Sequence, residues 1–414
     1  MTTSRDNLIV GLDIGSTAIR IVAGQRSRRD EKIQIIGAVE APASGISKGV
    51  INNIENAVSS ISTAVEKLER MISQPVHFVW VGVSGSHIIT QESRGVVAVS
   101  KPDGEIRQED MNRAIEASKA VAVPPNYETL HVIPKSFTVD SQTGIKDPIG
   151  MTGIRLEAHT QIIYGLVTQT KNLANCIHRA QLDIEDMILS ILAASESVLT
   201  NRQKDLGVVL VNIGGATTSL TVFEEGDILH TAVLPIGSEL ITNDIAICLR
   251  VSIETAEKIK IREGSCLAKD FKKQDIIKYS DLGAPEEGSF SKKMVAEIIE
   301  ARVEDIMERV DKELKKVGKS GTLPAGVVIT GGGAKIPGLV EVAKHTMRLP
   351  ASLGYPQELI SNIDKVSDLS FTTAIGLVLW GAQTAKPGMR IKGIGSSFEK
   401  TVSNIKKMIG SFLP

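Results

Sequence analysis

The sequence predicts a two-lobed α/β protein, a fold duplicated around a cleft. Three observations carry this. A short apolar strand enters a glycine turn and leaves as a second strand at Leu8–Gly24, and the same pattern returns at Val208–Phe223, about 200 residues later. A third glycine run, Gly331-Gly332-Gly333, follows another apolar strand. The length, 414 residues, exceeds what one small core organises and suits two lobes with subdomains.

The elements follow in chain order. Leu8–Ile14 and Ala18–Gly24 read as strands joined by a Gly-Ser-Thr turn, with a third strand at Lys32–Val39. Glu55–Ser73 has helical spacing, with Val58, Ile61, Val65, Leu68 and Ile72 on one face. Phe78–Val83 is a strand. The pattern then changes: short strand-like runs at Gly85–Ser100 and His131–Tyr164 flank a charged helical segment, Glu109–Ala120, as in an inserted subdomain. Lys171–Arg179 and Glu185–Thr200 read as helices. After the second hairpin, Leu240–Arg262 and Lys292–Lys316 are helical, and Lys269–Ser289 between them is polar and irregular. Gly326–Thr330 is a buried-type strand and Phe371–Gln383 an apolar helix. Pro387 to Gly395 is a glycine-rich linker before a last helix from Phe398 to Leu413.

Composition removes several function classes. Apolar residues make up 42% and charged residues 23%, an ordinary globular balance. A net charge of −1 and an aromatic content of 3% give no basis for nucleic-acid binding. Three cysteines without close pairing argue against a disulfide framework or a thiolate metal site, and fit a reducing cytoplasm. The first apolar run carries Asp13 and ends in a turn, so it reads as a strand and not a signal peptide. No uncharged apolar run reaches the roughly 18 residues of a membrane span.

The glycine turns carry the chemistry. Backbone N–H groups in a tight turn cradle phosphate, and glycine lets the backbone come close. Gly15, Ser16 and Thr17 supply donors for terminal phosphates, and Asp13 just before them is placed to hold Mg2+ through water. Gly214, Gly215, Ala216 and Thr217 face them from the other lobe, and Gly331, Gly332 and Gly333 let an adenosine lie against backbone. One such turn is commonly a β-turn and nothing more; three in this order are not explained that way.

The three segments resemble the phosphate-1, phosphate-2 and adenosine motifs of the actin, Hsp70 and sugar-kinase superfamily. The resemblance implies an actin-like, duplicated ribonuclease-H-like fold with ATP and Mg2+ in the cleft. It also implies that Gly237 approaches the nucleotide, that Glu257 and Lys260 contact ribose and base, and that Lys335 flanks the adenine.

His131-Val132-Ile133-Pro134 and the run from Gly144 to Leu156 (GIKDPIGMTGIRL) are similar to the bacterial cell-division family FtsA, as are Val81–Ile88 and Val327–Ala334. The likeness extends over essentially the whole chain. It implies subdomain 1A at 1–85 and 164–200, an FtsA-type subdomain 1C at 86–163, 2A at 201–237 and 306–385, and 2B at 238–305. It further implies an actin-like filament of the protein itself and a role tethering the tubulin-like FtsZ to the cytoplasmic side of the membrane at the division septum, with other divisome proteins as partners. The FtsZ C-terminal tail is expected on 2B, where Lys292 and Lys293 would suit an acidic peptide. Two relatives on the same fold are alternatives: a type IV pilus adaptor like PilM, and a small-molecule kinase.

The superfamily pattern is broken at phosphate 2, where Asn212 stands for the usual aspartate and Ala216 for the third glycine. Asparagine brings no negative charge to order the cation shell or an attacking water. Ile191–Ala194, where hydrolysing relatives carry Glu or Gln, is wholly apolar. The expectation is ATP binding with weak or no hydrolysis and no catalytic residue.

The tail reads as a membrane anchor. Residues 386–396 form a linker and 397–414 an amphipathic helix with Phe398, Val402, Ile405, Ile409 and Phe412 on one stripe, widened by Met408 and Leu413. From Lys386 onward six basic residues, Lys406 among them, stand against one acid, a net of +5. A basic amphipathic helix after a glycine linker suits an anionic lipid surface.

Overall fold

The computed structural model describes residues 8–26, 33–120, 123–357, 360–361 and 363–384. Lobe one begins with β1 (Leu8–Ile14), β2 (Ala18–Arg26), β3 (Ile33–Pro42), a small hairpin β4 (Ile46–Ser47) and β5 (Val50–Ile51), helix α1 (Ile54–Ile72) and β6 (Phe78–Val83). Val10 and Leu12 of β1 face the core that α1 closes with Ala57, Ile61, Ala64 and Leu68. The Asn53 side chain caps α1 by accepting the Asn56 N–H at 3.0 Å.

The inserted segment is a sheet of its own. It contains β7 (Ile88–Ala98), α2 (Gln108–Ser118), β8 (Tyr127–Val139), β9 (Gln142–Ile145) and β10 (Arg155–Leu166), with strand order β7-β10-β8-β9. Ile106, Met111, Ile115, Phe137, Leu156 and Tyr164 form its core beneath α2. The chain then returns to lobe one through α3 (Val167–Arg179) and β11 (Asp183–Leu189), and leaves it through α4 (Ser190–Val198) and α5 (Asn201–Leu206).

Lobe two has β12 (Val208–Ile213), β13 (Thr218–Glu224), β14 (Asp227–Leu234), α6 (Glu239–Leu249), α7 (Ile253–Glu263), a short hairpin β15 (Ile276–Lys278) and β16 (Ser289–Ser291), α8 (Lys292–Lys316), β17 (Val327–Thr330), α9 (Leu339–Met347), β18 (Ala351–Leu353) and α10 (Thr372–Thr384). The strand order is β3-β2-β1-β6-β11 in lobe one and β14-β13-β12-β17-β18 in lobe two. In each, three antiparallel strands are followed by two parallel ones. The duplication read from the two hairpins is therefore a duplication of topology.

The lobes are joined by exchanged helices. Helix α4 leaves the last strand of lobe one and packs on β12 and β13, while α10 leaves lobe two and packs on β1, β2 and β6. The two helices cross so closely that a Cβ on Gly376 would lie 1.8 Å from the Ala193 carbonyl oxygen.

Three expectations are corrected. Glu185–Leu189 is not helix but the end of strand β11, and helix begins only at Ser190. Ile184, Ile188, Leu189 and Leu192 mimic a helical stripe; pairing with β6 decides for strand. Leu240–Arg262 is two helices, because Arg250 takes the left-handed conformation at φ 55° and Ser252 starts a new helix by accepting the Thr255 N–H. Neither Gly nor Pro marks that break. The strand runs of the insert are long, 11 to 13 residues in β7, β8 and β10. The expected linker at 386–396 and tail helix at 397–414, with Phe398, Val402, Ile405, Lys406, Ile409, Phe412 and Leu413, lie outside the described residues.

Candidate functional site

The two glycine turns meet face to face. In the β1–β2 turn the Gly15 N–H donates to the Ala18 carbonyl at 3.1 Å, and in the β12–β13 turn the Gly214 N–H donates to the Thr217 carbonyl at 2.8 Å. The first turn rests on the β4–β5 turn, where the Gly49 N–H donates to the Ser16 hydroxyl at 3.1 Å. A Cβ on Gly215 would lie 2.6 Å from Thr17 Cγ2, so no larger residue fits there unless the Thr17 side chain moves. Gly237 backs the second turn: a Cβ there would lie 2.3 Å from the Gly215 carbonyl oxygen. The backbone N–H groups of Ser16, Thr17, Gly215 and Ala216 donate to no described group. Four unspent donors on two adjoining turns suit an anion such as a phosphate chain.

Asp13 stands at the end of β1, paired in register with Gly82 of β6. Burial pushes its carboxyl up to about 6 against the opposing pull of Arg20.

Asn212 is the penultimate residue of β12 and is committed to structure. Its Nδ2 donates to Thr373 Oγ1 at 3.2 Å. Its Oδ1 lies 2.2 Å from the point a Cβ on Gly331 would take, and Gly331 has φ 92°. Both the close approach and the positive φ demand glycine at 331. Gly333 packs on Ile213, while a Cβ on Gly332 would meet nothing within 4 Å. The third glycine turn thus rests on β12 and opens into free space, a fit for a flat ligand lying on backbone.

Glu257 and Lys260 share one face of α7 and join the second turn through α6. Lys260 Nζ is 2.7 Å from Glu257, donates to Thr242 Oγ1 at 2.8 Å, and lies 3.4 Å from the Ser238 carbonyl oxygen. Lys335, at the end of the third turn, is paired with Asp368 at 2.6 Å. Lys292 and Lys293 begin α8, and Lys292 is paired with Glu263 at 2.8 Å.

The structure adds residues that the sequence reading missed. Glu239 opens α6, and its N–H donates to the Gly215 carbonyl at 2.8 Å. Burial raises its carboxyl, with Lys260 and Lys48 pulling the other way and Glu257 adding to the rise. The signal was its place two residues after Gly237. Ser84, just past β6 and within the Val81–Ile88 run, lies 3.2 Å, hydroxyl to hydroxyl, from Ser219 of β13, a direct link between the lobes. Among the described residues no group of three or more His, Cys, Asp or Glu is placed to hold a metal. No described helix is long and apolar enough to cross a membrane.

A family model described as "Cell division protein FtsA" matches residues 209–376, and one described as "SHS2 domain inserted in FTSA" matches 85–164. The cell division protein FtsA of Pseudomonas aeruginosa is 37% identical over 391 residues, covering 94% of this chain and 93% of its own. That of Borreliella burgdorferi is 35% identical, covering 98% of each. Among solved structures, the PilM-PilN type IV pilus biogenesis complex aligns with a TM-score of 0.64 at 15% identity, over 90% of this chain and 98% of its own. MreB5 of Spiroplasma citri bound to ADP aligns at 0.54 and 13%, over 92% and 98%. The fold is actin-like.

Proposed function

The chain belongs to the FtsA family of cell-division proteins, and on that premise we propose that it binds ATP with Mg2+ in the cleft, polymerises, and ties FtsZ to the cytoplasmic face of the membrane. The observation that carries the nucleotide reading is the meeting of Thr17 and Gly215 across the cleft, with unspent N–H donors on both sides. In this reading Asp13, Gly15, Ser16 and Thr17 take one side of the phosphates. Gly214, Gly215, Ala216, Thr217 and Gly237 take the other. Gly331, Gly332, Gly333 and Lys335 border the base, and Glu257 and Lys260 the ribose. Asn212, engaged with Thr373, offers no charge to an attacking water. The nucleotide therefore serves assembly, with slow turnover at best.

The other assignments follow from the family. The sheet of β7–β10, subdomain 1C, helps subunits meet in a filament. The FtsZ tail docks on subdomain 2B (238–305), with Lys293 freer than the ion-paired Lys292 to receive an acid. The basic apolar stripe at 397–414 binds anionic inner-membrane lipid. One such helix binds reversibly, and a filament carrying many binds firmly through avidity.

The deciding experiment is capture by an FtsZ C-terminal peptide, run beside sedimentation with anionic liposomes for the full chain and for a form lacking 397–414. The full chain is expected to bind both, and the shortened one only the peptide. No capture by the peptide would favour a PilM-like adaptor instead; equal sedimentation of both forms would remove the tail as anchor. A steady-state ATPase rate like that of a chaperone or sugar kinase would overturn the holding role of the nucleotide.

A further inference from the structure

With Asn212 engaged elsewhere, lobe two still places one carboxylate at the phosphate turns, and it is Glu239. Its Oε1 lies 3.1 Å from the point a Cβ on Gly215 would take, and Thr17 Oγ1 lies 3.3 Å from the same point. The carboxylate therefore stands at the junction of the two turns, beside the donors of both lobes. It is half-buried and accepts no hydrogen bond from any described residue. The main chain fixes it there: the Ser238 and Glu239 N–H groups donate to the Gly214 and Gly215 carbonyls at 2.9 and 2.8 Å. Of the two cations within electrostatic reach, Lys260 is already spent on Glu257 and Thr242, and Lys48 comes from the β4–β5 hairpin of the other lobe.

We propose that Glu239 is the lobe-two partner of the divalent cation that accompanies the nucleotide's phosphates, facing its water shell opposite Asp13. This inference rests on the nucleotide reading above. A carboxylate beside phosphate oxygens repels them unless a cation stands between. The same group that opposes metal-free ATP therefore supports ATP with Mg2+. Mg2+ keeps several of its waters and needs only one or two carboxylates besides phosphate oxygens. Glu239 is a positioning residue here: it makes binding, and with it the closed state of the two turns, depend on the cation.

The test is ATP affinity by calorimetry, in Mg2+ and in excess chelator, for the intact protein, Glu239→Gln and Glu239→Asp. Thermal unfolding of each nucleotide-free protein serves as the control for folding. The intact protein is expected to bind ATP more tightly with Mg2+. In Glu239→Gln that enhancement should shrink tenfold or more, while metal-free affinity stays level or rises. Glu239→Asp should retain part of the enhancement. Water-proton relaxation of Mn2+ bound with ATP should change in Glu239→Gln if the carboxylate faces the shell. An unchanged Mg2+ enhancement, or an equal loss with and without metal as expected for a plain ion pair with Lys260, overturns the inference and leaves the nucleotide reading standing. Failure of the intact protein to bind ATP under either condition overturns both.

Discussion

Lys146 Nζ lies 3.1 Å from Asp227 Oδ2, so the tip of the inserted sheet is clasped to the β13–β14 turn of the opposite lobe. Glu225 completes the clasp with a carboxylate oxygen at 3.1 Å and its own carbonyl. The two acids raise the Lys146 ammonium above its usual range against the cost of burial. The lysine is half-exposed, so each pair contributes about 0.2–1 kcal/mol. Lys146→Glu is expected to lower the thermal midpoint modestly, and Asp227→Lys in the same chain to recover most of the loss. A strictly additive double variant, measured as a mutant cycle, would show that the clasp contributes nothing.

The contact between the turns predicts a wedge. Gly215→Ala sets a methyl against Thr17 Cγ2 and should weaken ATP binding at least tenfold while the fold survives. Thr17→Ser removes that methyl and keeps the hydroxyl, so the double variant should regain much of the affinity. Titration calorimetry of the three proteins checks this, and no recovery would mean that the loss has another origin.

Two adjacent glycines should behave in opposite ways. Gly331→Ala meets both a positive φ and the Asn212 side chain, and is expected to cost about 1–3 kcal/mol of stability. Gly332→Ala meets no atom of the protein within 4 Å, so stability should hold, while on the proposed nucleotide reading the added methyl should weaken ATP binding. Thermal unfolding without nucleotide, followed by ATP titration, separates the two effects.

Asp13 makes the nucleotide-free protein pH-dependent in a definite direction. Its carboxyl is raised from 3.8 to about 6, so the folded state holds the proton more tightly than the unfolded chain. Its contribution to stability therefore falls as pH rises from about 4 to about 6 and stays low above that. Asp13→Asn should stabilise the nucleotide-free protein at pH 7 by about 1–3 kcal/mol, and yet impair binding of ATP with Mg2+. Unfolding midpoints at several pH values decide the first part and calorimetry the second.

His131 acts in the opposite sense. It is buried in β8, and its Nε2 accepts the Leu189 N–H at 3.0 Å, tying the inserted sheet to the end of β11. Burial lowers its pKa from 6.5 to about 4, so the unfolded chain takes the proton first. Stability from this group is intact above pH 6.5 and declines as pH falls toward 4, by at most about 1.4 kcal/mol per pH unit. His131→Asn keeps an acceptor for Leu189, and its unfolding midpoint should vary less between pH 7 and pH 5 than that of the unaltered protein.

The sequence by itself determined the duplicated α/β fold and the three glycine turns, because strand–turn–strand patterns are local and glycine marks close backbone approach directly. It also carried the family, through Val81–Ile88 and the run from Gly144 to Leu156. Element type was less legible wherever pairing decided it. Glu185–Leu189 has the spacing of a helical stripe and becomes a strand because β6 offers a parallel edge. The break at Arg250 has no Gly or Pro and depends on a left-handed residue followed by the Ser252 cap. Only the tertiary structure decided what faces what in the cleft. Asn212 and Thr373 are 161 positions apart, and Ser84 and Ser219 are 135 apart. Glu239 reads in sequence as the first residue of a helix. The Gly215 carbonyl that holds its N–H turns it into the acid beside both glycine turns. Such contacts are set by how two similar lobes close on each other through the crossed helices α4 and α10, and no local pattern encodes that closure.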